Sequence, residues 1–334
     1  MVEIIATIGH STSNILQTID HLISCNINSF RFNLSKFSDI SKLEKYIDDL
    51  IAVKQRYGTC IRIMLDIPYP YQKCRVYTDN ILELKAGTVC CISNVEKIKN
   101  ARQIVSIKTN AVDFGNYVKD EDRIIYGDGR HAFIVRKVID SNNIEVQLAN
   151  DTVIYPGKAI HINHFAMEGN LNPNIIGKIC VLNPNSIALS FVSSESSVKK
   201  ASDMFIGSQI ISKIETQDGI NNINRLSEAS DIMIARGDLL LNAPYEQFHN
   251  YQKTIADNVH KKKKKLYVAT GILSSMSTSF VPTQSEIVDL LELKELAPQA
   301  VILNYGLITG NLKEALEIIN LVFNKEALNK DIQR

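Results

Sequence analysis

The sequence predicts an α/β protein built on a closed (β/α)8 barrel, with a small β domain inserted after the third strand. Eight short strand-like runs recur along the chain, apolar stripes at helical spacing lie between them, and one long stretch breaks the alternation. The runs are Glu3 to Ile8, Ser29 to Ser35, Ile61 to Ile67, Ile187 to Val192, Gln209 to Glu215, Asp231 to Ala235, Leu266 to Thr270 and Ala300 to Leu303. Ile15, Leu16, Ile19, Leu22 and Ile23 make the first helical stripe; Leu43, Ile47, Leu50 and Ile51 make the second. Leu312, Leu316, Ile319, Val322 and Phe323 form the last. Strands that alternate with helices belong to a parallel sheet, and eight repeats without a ninth close it into a TIM-type barrel. Catalytic groups of such a barrel sit at the strand C-termini.

Pro68 to about Asn185 shows no helical stripe. It carries β-like runs at Arg123 to Tyr126, His131 to Val138 and Ile144 to Leu148, punctuated by Gly127-Asp128-Gly129 and Ser141-Asn142-Asn143 as turns. A structureless loop of that length does not suit a compact barrel, so the stretch is read as a domain of its own, placed where a lid could exclude water. The expected division is residues 1–67 and 164–334 for the barrel and 68–163 for the insertion.

Composition excludes several classes. Of 334 residues, 45% are hydrophobic, enough for a large core, while 37 basic against 36 acidic residues leave a net charge of +1. That balance gives no electrostatic case for nucleic acid or an anionic membrane as partner. No apolar run reaches the length of a membrane span, and none follows a basic start as in a leader, so a cytoplasmic location is expected. The six cysteines form no C-x-x-C pair and are read as reduced thiols. Lys261 to Lys265 is read as a solvated loop closing a helix, where cations complement the helix dipole.

The fifth run ends Ser-Lys-Ile-Glu, so Lys213 and Glu215, two apart, face one side of the strand at its C-terminal end. The sixth continues into Ala235-Arg236-Gly237-Asp238-Leu239, which places Asp238 just past the next strand end, with a glycine that lets backbone approach a ligand. Two carboxylates from adjacent strand ends can hold one Mg²⁺, with water and substrate oxygens completing its octahedron. Lys213 would supply positive charge beside it.

Ser-Lys-Ile-Glu, then Ala-Arg-Gly-Asp-Leu, then Val-Ala-Thr, in this order and spacing, resembles the pyruvate kinase family. Ala-Thr-Ile-Gly at 6 to 9, Phe-Arg-Phe-Asn-Leu-Ser at 30 to 35, Leu65-Asp66, Ser190-Phe191, and Pro282-Thr283 with Glu286 and Asp289 extend the resemblance over most of the chain. It implies that Glu215 and Asp238 ligate Mg²⁺ or Mn²⁺, that Lys213 contacts the transferring phosphoryl group and stabilises enolate charge, and that Arg31 binds phosphate. It also implies a K⁺ site at Asn33, Ser35 and Asp66, with Ile67 in place of the family's threonine. Thr270 and the amides of Ala235, Arg236 and Gly237 would hold the carboxylate of phosphoenolpyruvate or pyruvate, with Ser190 at the substrate.

The nucleotide side departs from the family. His10 replaces a proline, Lys36-Phe37 replaces His-Gly, Gln284 replaces an arginine, and Asn304 to Leu307 replaces Ser-Gly-Glu-Thr. The segment Ile67 to Arg75 replaces Thr-Lys-Gly-Pro-Glu-Ile-Arg and leaves either Lys73 or Arg75 as the phosphate-binding cation. The chain ends one helix after the eighth run, so the family's C-terminal regulatory domain is expected to be absent and oligomer contacts altered. A phosphotransferase on phosphoenolpyruvate or pyruvate with a changed second substrate is the leading expectation, ADP remaining open. A pyruvate-enolate lyase or aldolase, and a non-catalytic binding protein, are the alternatives.

Overall fold

β1 (Glu3–Ile8), β2 (Ser29–Asn33), β3 (Arg62–Gln72), β4 (Ser186–Ser190), β5 (Gln209–Ile214), β6 (Asp231–Ala235), β7 (Leu266–Ala269) and β8 (Ala300–Leu303) are joined in parallel, neighbour to neighbour. The pairing of Glu3 with Ala300 joins β1 to β8 and closes the ring. The structure is a computed structural model and describes residues 2–10, 12, 14–37, 39–94, 105–127, 129–162, 165, 167–169 and 171–323. Asp128, in one of the turns expected from the sequence, lies outside them.

Alternation along the strands divides the core into two shells, because successive side chains point to opposite faces. Ile5, Met64, Ala188, Ile211, Met233, Tyr267, Ala269, Ala300 and Ile302 form a cluster inside the ring. A larger cluster packs the outer strand faces, with Phe30, Phe32, Leu65 and Val268, against the helices. A slip of one residue in β5 would exchange the two faces and turn Lys213 out of the barrel. The observed register, Lys213 beside Met233 and Asn33 beside Asp66, fixes the polar residues at the strand C-termini.

The helices are α1 (Ile15–Ser24), α2 (Ile40–Tyr57), α3 (Pro173–Leu182), α4 (Glu195–Met204), α5 (Gln217–Asn221), α6 (Ile223–Ala229), α7 (Arg236–Asn242), α8 (Phe248–Lys261), α9 (Gln284–Glu295), α10 (Tyr305–Ile308) and α11 (Leu312–Phe323). Their ends follow local chemistry. Asn14 and Asp39 accept backbone amides at the starts of α1 and α2, and Gly58, at φ +57°, ends α2 where a side chain would be strained. α8 ends on His260 and Lys261, the cationic close expected of the lysine run.

α3 corrects the sequence reading, which found no helix between Pro68 and Asn185. Its start was legible in Asn172-Pro173, an N-cap followed by proline at the first helical position. Its stripe was not. Ile175, Ile179 and Leu182 are buried at helical spacing, but the neighbouring Ile176, Cys180 and Val181 are also apolar and hide the period. Strand ends differ too: Ser35, Glu215 and Thr270 fall just past β2, β5 and β7, where backbone groups turn away from the ladder.

Contacts divide the chain into two units, Met1–Pro70 with Leu171–Arg334, and Tyr71–Asn170, where the sequence reading set the insertion at 68–163. The segment Pro68 to Arg75 crosses this division largely as strand: β3 continues to Gln72 and a further strand follows at Cys74–Tyr77. Seven strands of the second unit, Asn143–Leu148, Val89–Ser93, Val105–Thr109, Cys74–Tyr77, Ala159–His161, Arg123–Tyr126 and His131–Asp140, form a second closed barrel in that spatial order. Val76, Ile92, Ile107, Ile124, Phe133, Val135, Ile144 and Val146 fill it, separate from the larger core. All six cysteines are free thiols. Among the described residues no helix is long and apolar enough to cross a membrane.

Candidate active site

Strands β2, β3 and β5 converge on one buried carboxylate. Asp66, on β3, accepts Arg31 Nε at 3.1 Å and Arg31 Nη2 at 2.6 Å from β2, and Lys213 Nζ at 3.0 and 3.2 Å from β5. Its side chain is 1% exposed, and that of Lys213 is 7%. Lys213 also lies 3.3 Å from Glu215 Oε1, so the lysine and glutamate read as a same-face pair do meet. The other Glu215 oxygen accepts the Phe191 amide at 2.6 Å. Phe191 stands at φ +53° just after β4, a left-handed turn that aims its N–H at the carboxylate.

Charge balance explains why these groups tolerate burial. Burial alone pushes the Asp66 carboxyl up, but Lys213 and Arg31 more than offset this and hold it below the usual carboxylate range. Burial alone pushes Lys213 down; Asp66, Glu215 and the more distant Asp238 outweigh that together with the repulsion from Arg31, and the ammonium is held above its ordinary value. The centre therefore keeps two fixed cations, Arg31 and Lys213, at the mouth of the barrel. Thr7, on β1, steadies Arg31 by accepting Nη1 at 3.1 Å.

A second group forms where β6 and β7 end. Arg236, at the start of α7, is buried and donates Nε to the Thr270 carbonyl at 2.9 Å. Its two terminal nitrogens grip Asp289 of α9 at 2.5 and 2.8 Å. Thr270 stands at φ +77°, where a β-branched residue costs about 1–3 kcal/mol. Close packing leaves it little choice, since a Cβ on Gly237 would sit 2.9 Å from the Thr270 methyl. Asp238 follows in the first turn of α7.

Placed against the expectations, the fold gathers Arg31, Asp66, Lys213 and Glu215, with Asp238 near enough to act on Lys213, and separately gathers Ala235, Arg236, Gly237 and Thr270. Asn33 accepts the Ser35 amide at 2.9 Å and its hydroxyl at 2.6 Å. The Ser190 hydroxyl donates to the Ile67 carbonyl at 2.8 Å, which ties β4 to β3. Lys73 and Arg75 belong to the second unit, where Arg75 donates to the Gly157 carbonyl at 2.7 Å. Sequence reasoning gave no role to Thr7, to Phe191 or to Asp289. For Asp289 the sequence held only a weak signal, since the acid next to Arg236 in the chain, Asp238, was already assigned to the metal.

Glu215 and Asp238 are hard oxygen donors suited to Mg²⁺ or Mn²⁺. Among the described residues no cluster of three or more His, Cys, Asp and Glu is placed to enclose a metal. The oxygens expected for K⁺ are already engaged: Asn33 Oδ1 accepts both the amide and the hydroxyl of Ser35, and Asp66 accepts Arg31 and Lys213.

Fold and site together define a class: a (β/α)8 barrel interrupted after its third strand, with a buried lysine and carboxylate centre at the strand C-termini. Residues 1–293 match the family described as pyruvate kinase, barrel domain, and the chain belongs to that family. It is 29% identical to the pyruvate kinase of Thermotoga maritima over 302 residues, 86% of this chain and 62% of that one. Over 292 residues it is 27% identical to the pyruvate kinase of Lactococcus lactis, covering 82% and 58%. The chain thus spans about three-fifths of the length of these relatives. The crystal structure of pyruvate kinase from Pyrobaculum aerophilum shares the fold, at TM-score 0.75 and 23% identity over 97% of this chain and 73% of that one.

Proposed function

We propose that the chain is a phosphotransferase that uses or forms phosphoenolpyruvate through a pyruvate enolate, with a second substrate other than ADP or ATP. The observation that carries this reading is the pair of cations, the buried Lys213 and the partly buried Arg31, held by Asp66 beside Glu215. In transfer from phosphoenolpyruvate, the bond between phosphorus and the enol oxygen breaks and one to the acceptor oxygen forms, so negative charge grows on the enol oxygen and on the equatorial phosphoryl oxygens. Lys213 faces the first and Arg31 the second, both oriented before substrate arrives, so little reorganisation accompanies the reaction. A proton taken from solvent by the enolate carbon then gives pyruvate. Thr270 and the amides at the start of α7 hold the carboxylate end. A divalent ion at Glu215 and Asp238 would neutralise charge shared by the substrate oxygens, and K⁺ at Asn33, Ser35 and Asp66 would add to the field.

A changed second substrate is supported by aromatic rings where the resemblance expects small residues. Phe37 packs on Tyr46 with ring centres 4.8 Å apart and meets the His10 ring edge-on at 5.8 Å. The Tyr305 ring lies so near Gly9 that a Cβ there would be 3.0 Å from it. Phosphorus NMR with Mg²⁺, K⁺ and phosphoenolpyruvate, run against ADP, other nucleotides and small hydroxyl or carboxyl acceptors, identifies the partner. Phosphoryl on ADP alone would overturn the altered acceptor, and pyruvate turnover without a phosphorus change would favour a lyase. In deuterated water the native protein should exchange the methyl protons of pyruvate, and Lys213→Ala should slow this about 10²–10³-fold. No exchange in the native protein would sink the enolate reading.

A further inference from the structure

We propose that Asp289 is a positioning residue for the candidate site: acting through Arg236, it locks Thr270 against the turn that carries Asp238. The inference rests on the reading that Thr270 holds the substrate carboxylate. Three elements meet at this lock. Asp289 comes from α9, Arg236 opens α7, and Thr270 ends the stretch after β7. The guanidinium is 7% exposed and its donors are divided between two tasks, Nε on the Thr270 carbonyl and Nη1 and Nη2 on the two Asp289 oxygens. A planar fork held at one end by a carboxylate cannot rotate, so the Nε–H direction is set by Asp289.

The lock holds a conformation the backbone would not choose. Thr270 and Gly271 stand at φ +77° and +83° in succession. Glycine at 271 is required twice, by that φ and because a Cβ would lie 2.9 Å from Arg236 Nη2. Glycine at 237 lets the Thr270 methyl pack on the α7 turn. Without Asp289 the guanidinium is free to swing, the Thr270 carbonyl loses its fixed donor, and the left-handed turn relaxes. Loosening of Thr270 would weaken its hold on a bound carboxylate in the ground state and in the transition state alike, which appears as a raised KM.

The test compares Asp289→Asn, Asp289→Glu and Leu293→Val in the full chain. Leu293 is buried on the same helix and makes none of these contacts, so Leu293→Val controls for a loosened α9. Pyruvate proton exchange with Mg²⁺ present gives KM, and amide hydrogen exchange of the peptide spanning 268 to 279 reads the turn directly. Asp289→Asn should raise KM for pyruvate about 10-fold, as expected for one misplaced hydrogen bond to a charged group, and speed amide exchange in that peptide. Asp289→Glu, which restores the carboxylate fork, should recover KM to within about threefold of the native value, and Leu293→Val should leave both readouts native. An unchanged KM or unchanged amide exchange in Asp289→Asn overturns the proposal, as does an equal effect in Leu293→Val. If the native protein exchanges no pyruvate protons, the enolate reading fails, while amide exchange still decides whether Asp289 holds the turn.

Discussion

At the scale of single residues, buried charge at both ends of the barrel is matched by directed partners, but with different outcomes. Asp66 and Lys213 gain enough from each other, and from Arg31 and Glu215, to remain ionised at the strand C-termini. Asp231, at the N-terminal end of β6, accepts the Lys265 amide at 2.9 Å and the Gln209 side-chain amide, and burial still raises its pKa. A carboxyl with a raised folded-state pKa binds more protons folded than unfolded, so it erodes stability as pH climbs from the unfolded value near 4 through the folded one. Asp231→Asn keeps an acceptor for Lys265, and a flipped Gln209 can still face it. Thermal melts from pH 4 to pH 7 should therefore show the variant gaining on the native protein as pH rises; a constant difference would refute the assignment.

At the scale of elements, helix ends place chemistry as well as close hydrogen bonds. Thr283 and Glu286 form a reciprocal capping box at the start of α9, and Glu286 also accepts the Ser275 amide at 2.7 Å and the Ser275 hydroxyl. One carboxylate thus anchors both α9 and the short helical turn at Ser274–Ser277. Thr283→Ala removes the cap and should cost about 1 kcal/mol in urea unfolding with an unchanged slope. A loss of several kcal/mol would mean that the cap also carries the Ser275 turn. The same helix presents Asp289 to Arg236, so its start bears on the geometry of the loop after β7.

At the scale of the whole molecule, the chain makes two closed barrels with separate cores. The core of the second unit contains Phe114 and Phe133 wholly buried, and Gly115 so tightly placed that a Cβ would lie 2.3 Å from the Asp140 carbonyl. A unit with its own core and a closed sheet carries within itself what a domain needs to fold. Residues 71–170 expressed alone should therefore give dispersed amide NMR signals and a cooperative melt. Collapsed, undispersed spectra would show that the unit depends on the larger barrel.

Periodicity determined the eight strands and the first, second and last helical stripes, because a strand or amphipathic helix that buries one face must repeat its apolar residues at that period. It failed at Pro173–Leu182, where apolar residues on several faces erase the stripe. Ordered motifs pointed to the family, and strand spacing put Lys213 and Glu215 on one face, since alternation is a local property. Only tertiary structure decided that Asp66 lies between Arg31 and Lys213, that the Phe191 amide holds Glu215, and that Asp289 reaches Arg236 from 53 residues away. Those partners are set by barrel register and helix docking, which depend on contacts between distant segments and leave no period in the chain.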